Sequence, residues 1–157
     1  MHFQAKSLTS FDNTKIYYEI NHSNIKHRRT LIFLHGLGGD LADWSDEKKY
    51  FSKLGYKVIV LDMRGHGLSE RKENFESYKF DCFVEDIVSL IKHEKLKKPV
   101  LIGHCFGGMV TMILAGKYPE IALPVLALGD LTTFTLFVLS IGMMVTSKFL
   151  PGIYGNF

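Results

Sequence analysis

The sequence is poor in cysteine, and this scarcity bears on the kind of protein it encodes. Only two cysteines, Cys82 and Cys105, occur among 157 residues, and neither belongs to a C-x-x-C pair. Neither a disulfide framework nor a zinc site is indicated, so no metal and no cofactor is expected. A reducing, cytoplasmic location is the default expectation for such a chain.

A strong excess of one charge is also missing. The 19 basic and 16 acidic side chains leave a net charge of +3, and the basic clusters at 27–29 and 95–98 are short. We interpret these clusters as solvated surface and expect no nucleic-acid partner. The first ten residues lack a basic start followed by an apolar run, so no signal peptide is predicted.

Charge is almost absent from the C-terminal part of the chain. Only Asp130 and Lys148 are charged between 121 and 157, and 131–147 is an uncharged run of 17 residues. A membrane-spanning helix needs about 20 apolar residues, so a buried or lipid-facing helix is favoured here over a true membrane span. Membrane contact through 131–147 is an alternative that is not favoured. We therefore divide the chain into a partial core at 1–130 and an apolar tail, or the start of a cap, at 131–157.

Apolar runs alternate with amphipathic segments along the rest of the chain. Continuous runs such as Leu31–Leu34 are typical of strands buried on both faces, and helical spacing of apolar residues predicts a helix between Tyr78 and Lys95. The predicted strands are 3–8, 15–20, 31–34, 58–61, 100–102 and 125–128, and the predicted helices are 41–54, 78–95 and 108–117. This order predicts an α/β fold, a three-layer α/β/α sandwich with a mostly parallel sheet that is incomplete at the C-terminus.

The strongest motif is the turn Gly103-His104-Cys105-Phe106-Gly107, which follows a buried strand and precedes a helix. A G-x-nucleophile-x-G turn between strand and helix exposes its central side chain above the sheet. The positive end of the helix dipole favours the thiolate, which is the reactive form of cysteine. The pattern predicts Cys105 at a nucleophile position; the alternative is a small cysteine packed in a turn.

Two further loops are expected at the same edge of the sheet, because ligands of parallel sheets bind beyond the carboxyl ends of the strands. They are His35–Asp40 (HGLGGD) and Asp62–Glu70 (DMRGHGLSE). Together with the turn at Cys105, they resemble small α/β-hydrolases of the esterase, lysophospholipase and proline-iminopeptidase type over about residues 1–128. Most members carry serine where this chain has cysteine, although dienelactone hydrolases and polyhydroxyalkanoate synthases use cysteine.

The resemblance implies a hydrolase that acts on a small-molecule ester or related acyl bond through a covalent acyl-enzyme, here a thioester. It implies an oxyanion hole formed by the backbone N–H groups of Leu37 and Phe106. Gly36 and His104 are expected to border the substrate, although strand alternation directs the His104 side chain away from Cys105. His66 is interpreted as a hydrogen-bonded loop residue rather than a catalytic base.

The catalytic partners of the nucleophile are missing from their usual place. The family places an acid and then a histidine after the nucleophile, yet no histidine follows Cys105, and Asp130 is a weak candidate for the acid. The hydrolase is therefore expected to be incomplete in this chain. Two alternatives stay open: a non-catalytic binding protein and an acyltransferase that uses a cysteine thioester. An oligomer or a missing C-terminal half are two ways to cover the open edge of the sheet.

Overall fold

A computed structural model describes residues 2–21 and 29–128, and the statements below refer to these ranges. The strands are β1 (Phe3–Thr9), β2 (Lys15–Asn21), β3 (Thr30–Leu34), β4 (Lys57–Leu61), β5 (Val100–His104) and β6 (Leu123–Leu128). The helices are α1 (Ser45–Lys53), α2 (Phe80–His93) and α3 (Phe106–Lys117), with 3-10 helices at Leu41–Trp44 and Phe75–Tyr78. The predictions for Asp130 and for 131–157 lie outside the described residues.

The six strands form one sheet in the order β1-β2-β4-β3-β5-β6. β3 pairs in parallel with β4 and β5, and β5 pairs in parallel with β6. The hairpin β1–β2 is antiparallel, and β2 also joins β4 in antiparallel orientation. The predicted α/β fold with a mostly parallel sheet is confirmed, and β3 lies between the strands that carry the other two loops of interest.

Apolar side chains cover both faces of the central strands, because successive residues of a strand point to opposite faces. On one face, Phe33 and Val60 pack with Trp44, and the Phe33 and Trp44 ring centroids are 5.1 Å apart. On the other face, residues such as Ile32 and Leu61 pack in one cluster with the apolar sides of α2 and α3. This arrangement is the predicted three-layer sandwich.

The helix starts differ from the sequence prediction. The segment predicted as one helix from 41 begins as the 3-10 helix Leu41–Trp44, whose first turn is capped by the Asp40 carboxylate at 2.7 Å from Ala42 N. The α2 helix begins at Phe80 rather than Tyr78, because Lys79 has extended backbone angles. The α3 helix begins at Phe106, two residues before the predicted start, so it follows Cys105 directly. Within the described ranges, none of the helices is long and apolar enough to cross a membrane.

Candidate functional site at the carboxyl edge of the sheet

The backbone at Cys105 adopts an unusual conformation. Cys105 connects β5 to α3 with φ 48° and ψ −113°, and its side chain is exposed. A positive φ is unfavourable for a residue with a Cβ, and such conformations persist only where the surrounding structure enforces them. The turn therefore holds the Cys105 thiol in solvent at the start of a helix, where free N–H groups and the helix dipole favour an anion.

Close backbone packing enforces this turn. A Cβ on Gly103 would come within 2.5 Å of Gly108 N and closer still to the Gly107 carbonyl. A Cβ on Gly107 would come within 2.6 Å of the His35 carbonyl oxygen, and the Gly107 N–H donates to that same oxygen at 3.1 Å. The glycines thus allow α3 to approach the ends of both β5 and β3, and they tie the turn at Cys105 to the loop that follows β3.

The loop His35–Asp40 after β3, called the glycine loop from here on, lies against the turn at Cys105. A Cβ on Gly36 would lie 3.5 Å from the Cys105 Cβ and 3.0 Å from Nδ1 of His104. The structure thus brings Gly36, His104 and Cys105 together, and Leu37 follows with an exposed side chain. Asp130, the candidate acid, lies outside the described residues. The chemical roles of these residues stay predictions.

A tight turn fixes the orientation of the glycine loop. The Gly36 carbonyl accepts from Gly39 N at 3.1 Å and from His35 Nδ1 at 2.7 Å, and Gly38 has φ 77°. A positive φ at the third residue is typical of a type II turn, with Leu37 in the second position. Because the peptide is planar and trans, the Leu37 N–H points opposite to the Gly36 carbonyl and away from the groups that hold it.

Phe106, the first residue of α3, anchors the helix start in an aromatic cluster. Its half-buried ring lies with its centroid 4.8 Å from that of Phe83 and 5.3 Å from that of Phe80, both on α2. Its N–H belongs to the first turn of the helix and has no intrahelical acceptor. The packing of the ring therefore fixes the position of the second predicted oxyanion donor.

Asp62 organises the loop after β4. Its buried carboxylate accepts from Leu41 N and from Leu68 N, each at 2.8 Å, and so joins this loop to the start of the 3-10 helix after the glycine loop. A Cβ on Gly67, which has φ 48°, would overlap the Asp62 carboxylate. The sequence analysis assigned no role to Asp62; a carboxylate that ends an apolar strand and precedes closely spaced glycines was the available signal.

A buried ion pair network holds the same loop from the other side. The Arg64 Nε and Nη2 donate to the two oxygens of Asp86 on α2, each at 2.7 Å, and Nη1 donates to Asp12 at 2.9 Å. The Nη1 group also donates to the Ser77 carbonyl at 2.8 Å. These contacts make Arg64 a structural residue of the loop, and its carboxylate partners carried no local signal in the sequence.

Burial and pairing shift the pKa values of this network in opposite directions. Burial alone would lower the pKa of Arg64, but the hydrogen bonds with Asp86 and Asp12 raise it. Although partial burial opposes it, the Arg64 guanidinium and the Thr14 groups lower the pKa of Asp12 to about 2. Burial raises the pKa of the Asp86 carboxyl, and the hydrogen bonds from Arg64 and Ser10 oppose that rise.

The rings of His35 and His66 lie where the glycine loop meets the loop after β4, and their centroids are 5.0 Å apart. Since Nδ1 of His35 donates to the Gly36 carbonyl, its Nε2 accepts from Met63 N at 3.0 Å. Burial lowers the pKa of His35, which favours the neutral ring. Both of its nitrogens are occupied, so His35 is not placed to take a proton from Cys105. The sequence analysis did not single out this ring.

The part of the chain that the structure describes contains no group of three or more His, Cys, Asp or Glu side chains arranged to hold a metal ion. The groups that the structure places at this edge of the sheet include the exposed Cys105 and the backbone N–H groups of the loops around it.

Comparison with known proteins identifies the family. The family model described as alpha/beta hydrolase fold matches residues 29–137, more than half of the chain. The chain belongs to the alpha/beta hydrolase fold family. The matched segment includes β3 to β6 and all three loops described above.

Several curated proteins resemble the chain over part of their length. Protein ABHD8 of Homo sapiens is 38% identical over 91 residues, which are 58% of this chain and 21% of that protein. Epoxide hydrolase 4 of Mus musculus is 35% identical over 99 residues, 63% of this chain and 27% of that protein. A putative esterase/lipase of Haemophilus influenzae is 32% identical over 117 residues, 74% of this chain and 37% of that protein. The chain thus spans well under half the length of these relatives.

Solved structures of alpha/beta hydrolases share the fold. The crystal structure of epoxide hydrolase VrEH1 from Vigna radiata matches with a TM-score of 0.71 and 24% identity, over 78% of this chain and 38% of that chain. An alpha/beta hydrolase from Novosphingobium aromaticivorans matches with a TM-score of 0.67 and 24% identity, over 78% of this chain and 43% of that chain. At this level of identity the likeness describes the fold alone.

Proposed function

We propose that the chain supplies the nucleophile and the oxyanion donors of a hydrolase that acts on a small-molecule ester, with Cys105 forming a thioester. The observation that carries this proposal is the exposed Cys105, which has a positive φ between β5 and α3 and whose Cβ lies 3.5 Å from the position that a Cβ on Gly36 would occupy. Membership of a hydrolase family with esterase and epoxide hydrolase relatives supports hydrolysis as the general activity.

In the proposed reaction, the Cys105 thiolate attacks the carbonyl carbon of the ester. A C–S bond forms, and the carbonyl oxygen becomes an oxyanion that the N–H groups of Leu37 and Phe106 stabilise. The intermediate then collapses, the C–O bond to the alcohol breaks, and the departing alkoxide takes a proton from solvent. A thiolate needs no paired base for this attack, because it is intrinsically nucleophilic.

We assign no base to the second half of the reaction among the described residues. Hydrolysis of a thioester by water requires proton transfer, which a positioned side chain accelerates. No histidine follows Cys105 in the sequence, and both ring nitrogens of His35 are engaged. We therefore expect the thioester to accumulate, and residues 1–157 alone to turn over esters poorly or not at all.

A short p-nitrophenyl ester tests this proposal. We expect one equivalent of p-nitrophenolate to be released rapidly, with the gain of one acyl group in the intact mass, because acylation proceeds and deacylation stalls. Cys105→Ala should abolish both signals. Cys82→Ala is the matched control, since the other cysteine lies on α2 with its Sγ 3.6 Å from the Glu76 carbonyl, and it should leave both signals unchanged.

Different results identify different errors. Multiple turnover that is lost in Cys105→Ala would contradict the proposed lack of a base. An absence of acylation, or acylation of Cys82 instead, would rule out Cys105 as the nucleophile and leave the non-catalytic binding protein. Transfer of the acyl group to an added alcohol or amine, faster than to water, would identify an acyltransferase.

The second position of the turn allows a separate test of the oxyanion hole. Leu37→Pro removes the N–H donor but suits this position of a type II turn, so we expect acylation of Cys105 to slow by about 100-fold. Leu37→Ala keeps the N–H and should acylate within about threefold of the unchanged chain. The measurement is the rate of p-nitrophenolate release. Equal rates for the two variants would show that this N–H stabilises no oxyanion.

A further inference from the structure

We propose that His66 is a positioning residue for the oxyanion hole and that it acts only as a neutral imidazole. Its Nε2 accepts a hydrogen bond from Gly38 N, and protonation of this nitrogen would release the glycine loop that carries the Leu37 N–H. This inference rests on the proposed function, since it concerns the donor that stabilises the oxyanion. It assigns to His66 a role in catalysis through Leu37 and not through contact with the substrate.

The glycine loop depends on hydrogen bonds rather than on side-chain packing. Apart from the chain neighbours of Gly38, no described residue comes within 4 Å of the position that a Cβ on Gly38 would occupy, and Leu37 is 73% exposed. The Gly36 carbonyl is held from one side by His35 and Gly39. The next peptide is held by the bond from Gly38 N to Nε2 of His66, 3.2 Å long.

The loop after β4 fixes the tautomer of His66. The Arg64 carbonyl can only accept, so Nδ1 of His66, 3.0 Å away, carries the proton and donates to it. Nε2 of a neutral ring is then an acceptor, which matches the bond from Gly38 N. Because the Arg64 side chain is anchored to Asp86 and Asp12, the imidazole stands on a rigid support.

Protonation reverses the sign of this interaction. A protonated imidazole has donors on both nitrogens, so Nε2–H would face the Gly38 N–H, donor against donor. Other ionisable groups lie near this contact among the described residues. Asp62 and Asp43 interact electrostatically with the His35 ring, and Nε of Arg71 donates to the Gly65 carbonyl at 3.2 Å. Nδ1 of His104 lies 3.0 Å from the position that a Cβ on Gly36 would occupy. Burial lowers the pKa of His35 and so favours the neutral form of that ring. The atom that accepts the bond from Gly38 N is Nε2 of His66, so the charge that matters at this contact is the one on the His66 ring.

We therefore expect the rate of acylation to fall at low pH (an acid limb in its pH profile) for a reason other than protonation of the Cys105 thiolate. Alkylation of Cys105 by iodoacetamide requires the thiolate but forms no oxyanion, so its rate reports ionisation of the thiol alone. Acylation by a p-nitrophenyl ester requires both the thiolate and the oxyanion hole. The ratio of the two rates therefore isolates the state of the glycine loop, and we expect this ratio to fall as the pH is lowered.

Two variants of the full chain test this assignment. His66→Leu removes the acceptor and should lower the ratio of acylation to alkylation about tenfold at every pH. This effect is smaller than the loss of an oxyanion donor itself, because the Leu37 N–H remains and only its position is less well fixed. His66→Gln keeps an acceptor that does not titrate, so it should recover most of the loss and should show a flat ratio across the pH range. Rates of iodoacetamide alkylation should be similar in all three proteins.

A flat ratio in the unchanged chain, or the same acid limb in His66→Gln, would overturn the inference. A second measurement does not depend on acylation: in NMR spectra, the Gly38 amide signal should titrate with the same midpoint as the His66 ring and should not titrate in His66→Gln. If Cys105 is not acylated at all, the proposed function is wrong, and the Gly38 titration still decides whether His66 controls the loop. A Gly38 signal that ignores His66 would refute that control.

Discussion

Replacing Gly107 by alanine is expected to lower the free energy of unfolding by about 3 kcal/mol, because the new Cβ has no room. It would lie 2.6 Å from the His35 carbonyl oxygen and closer to that of Leu34, and both are backbone atoms of the end of β3 and the loop after it. No flexible side chain can move to relieve this overlap, so α3 or β3 must shift. Urea denaturation of the full chain, followed by circular dichroism, measures the loss.

Gly116 is the matched control for this substitution, since it lies in the same helix. Apart from its neighbours and the backbone of its own helix, no described residue comes within 4 Å of the position of a Cβ there. Gly116→Ala should raise the free energy of unfolding by about 0.5–1 kcal/mol, because alanine favours the helix over glycine. If the two variants proved equally stable, the close approach of α3 to β3 would be wrong. The argument for the geometry at Cys105 would then fail with it.

Removal of the Arg64 guanidinium should also be severe. Arg64→Met leaves the buried Asp86 carboxylate without its two charged hydrogen bonds, and a buried charge without its partner costs about 3–5 kcal/mol. The exposed pair between Lys49 and Asp46 on α1 provides the control. Lys49→Met should change the stability by less than about 1 kcal/mol, since ion pairs in solvent contribute little. Chemical denaturation at pH 7 compares the two.

The stability of Arg64→Met as a function of pH shows whether the loss comes from the unpaired Asp86 carboxylate or from lost packing. Burial raises the pKa of Asp86, and without the guanidinium the folded variant should hold a proton there that the unfolded chain has released. A carboxyl whose pKa is raised by folding favours the folded state at low pH and loses that advantage as the pH rises through the folded value. The deficit should therefore be smaller at pH 5 than at pH 8. A second substitution, Asp86→Asn, should recover part of the loss at pH 8; a deficit independent of pH would point to packing.

The sequence predicted the elements whose signal lies within their own residues. The runs Leu31–Leu34 and Val58–Leu61 carry apolar side chains on both faces, which is sufficient to place them as central strands. The start of α3 was placed two residues late, because glycines at 107 and 108 argue against a helix locally. Contacts with the end of β3 and with Phe83 on α2 stabilise the helix from Phe106. These partners are distant in the sequence, so the residues around Phe106 do not reveal them.

The turn and the loops of the candidate site could be predicted from the sequence, but the hydrogen bonds and the ion pair that hold them in place could not. The turn at Cys105 and the two loops carried patterns of glycine and polar residues that mark the carboxyl edge of a parallel sheet. By contrast, Asp62 and His35 also accept hydrogen bonds from backbone N–H groups 21 and 28 residues away, and any residue type except proline can supply such groups. The pairing of Arg64 with Asp86 depends on how α2 packs on the sheet, which the spacing of residues does not reveal.

The position of β3 between β4 and β5 has a consequence for how the chain reaches its native state. Its two partner strands come from distant parts of the sequence, so the three loops meet only after long segments of chain have closed, which is a slow and cooperative event. The reactivity that we propose for Cys105 toward esters would then appear only at the end of folding. The time course of its appearance would measure how fast the sheet assembles.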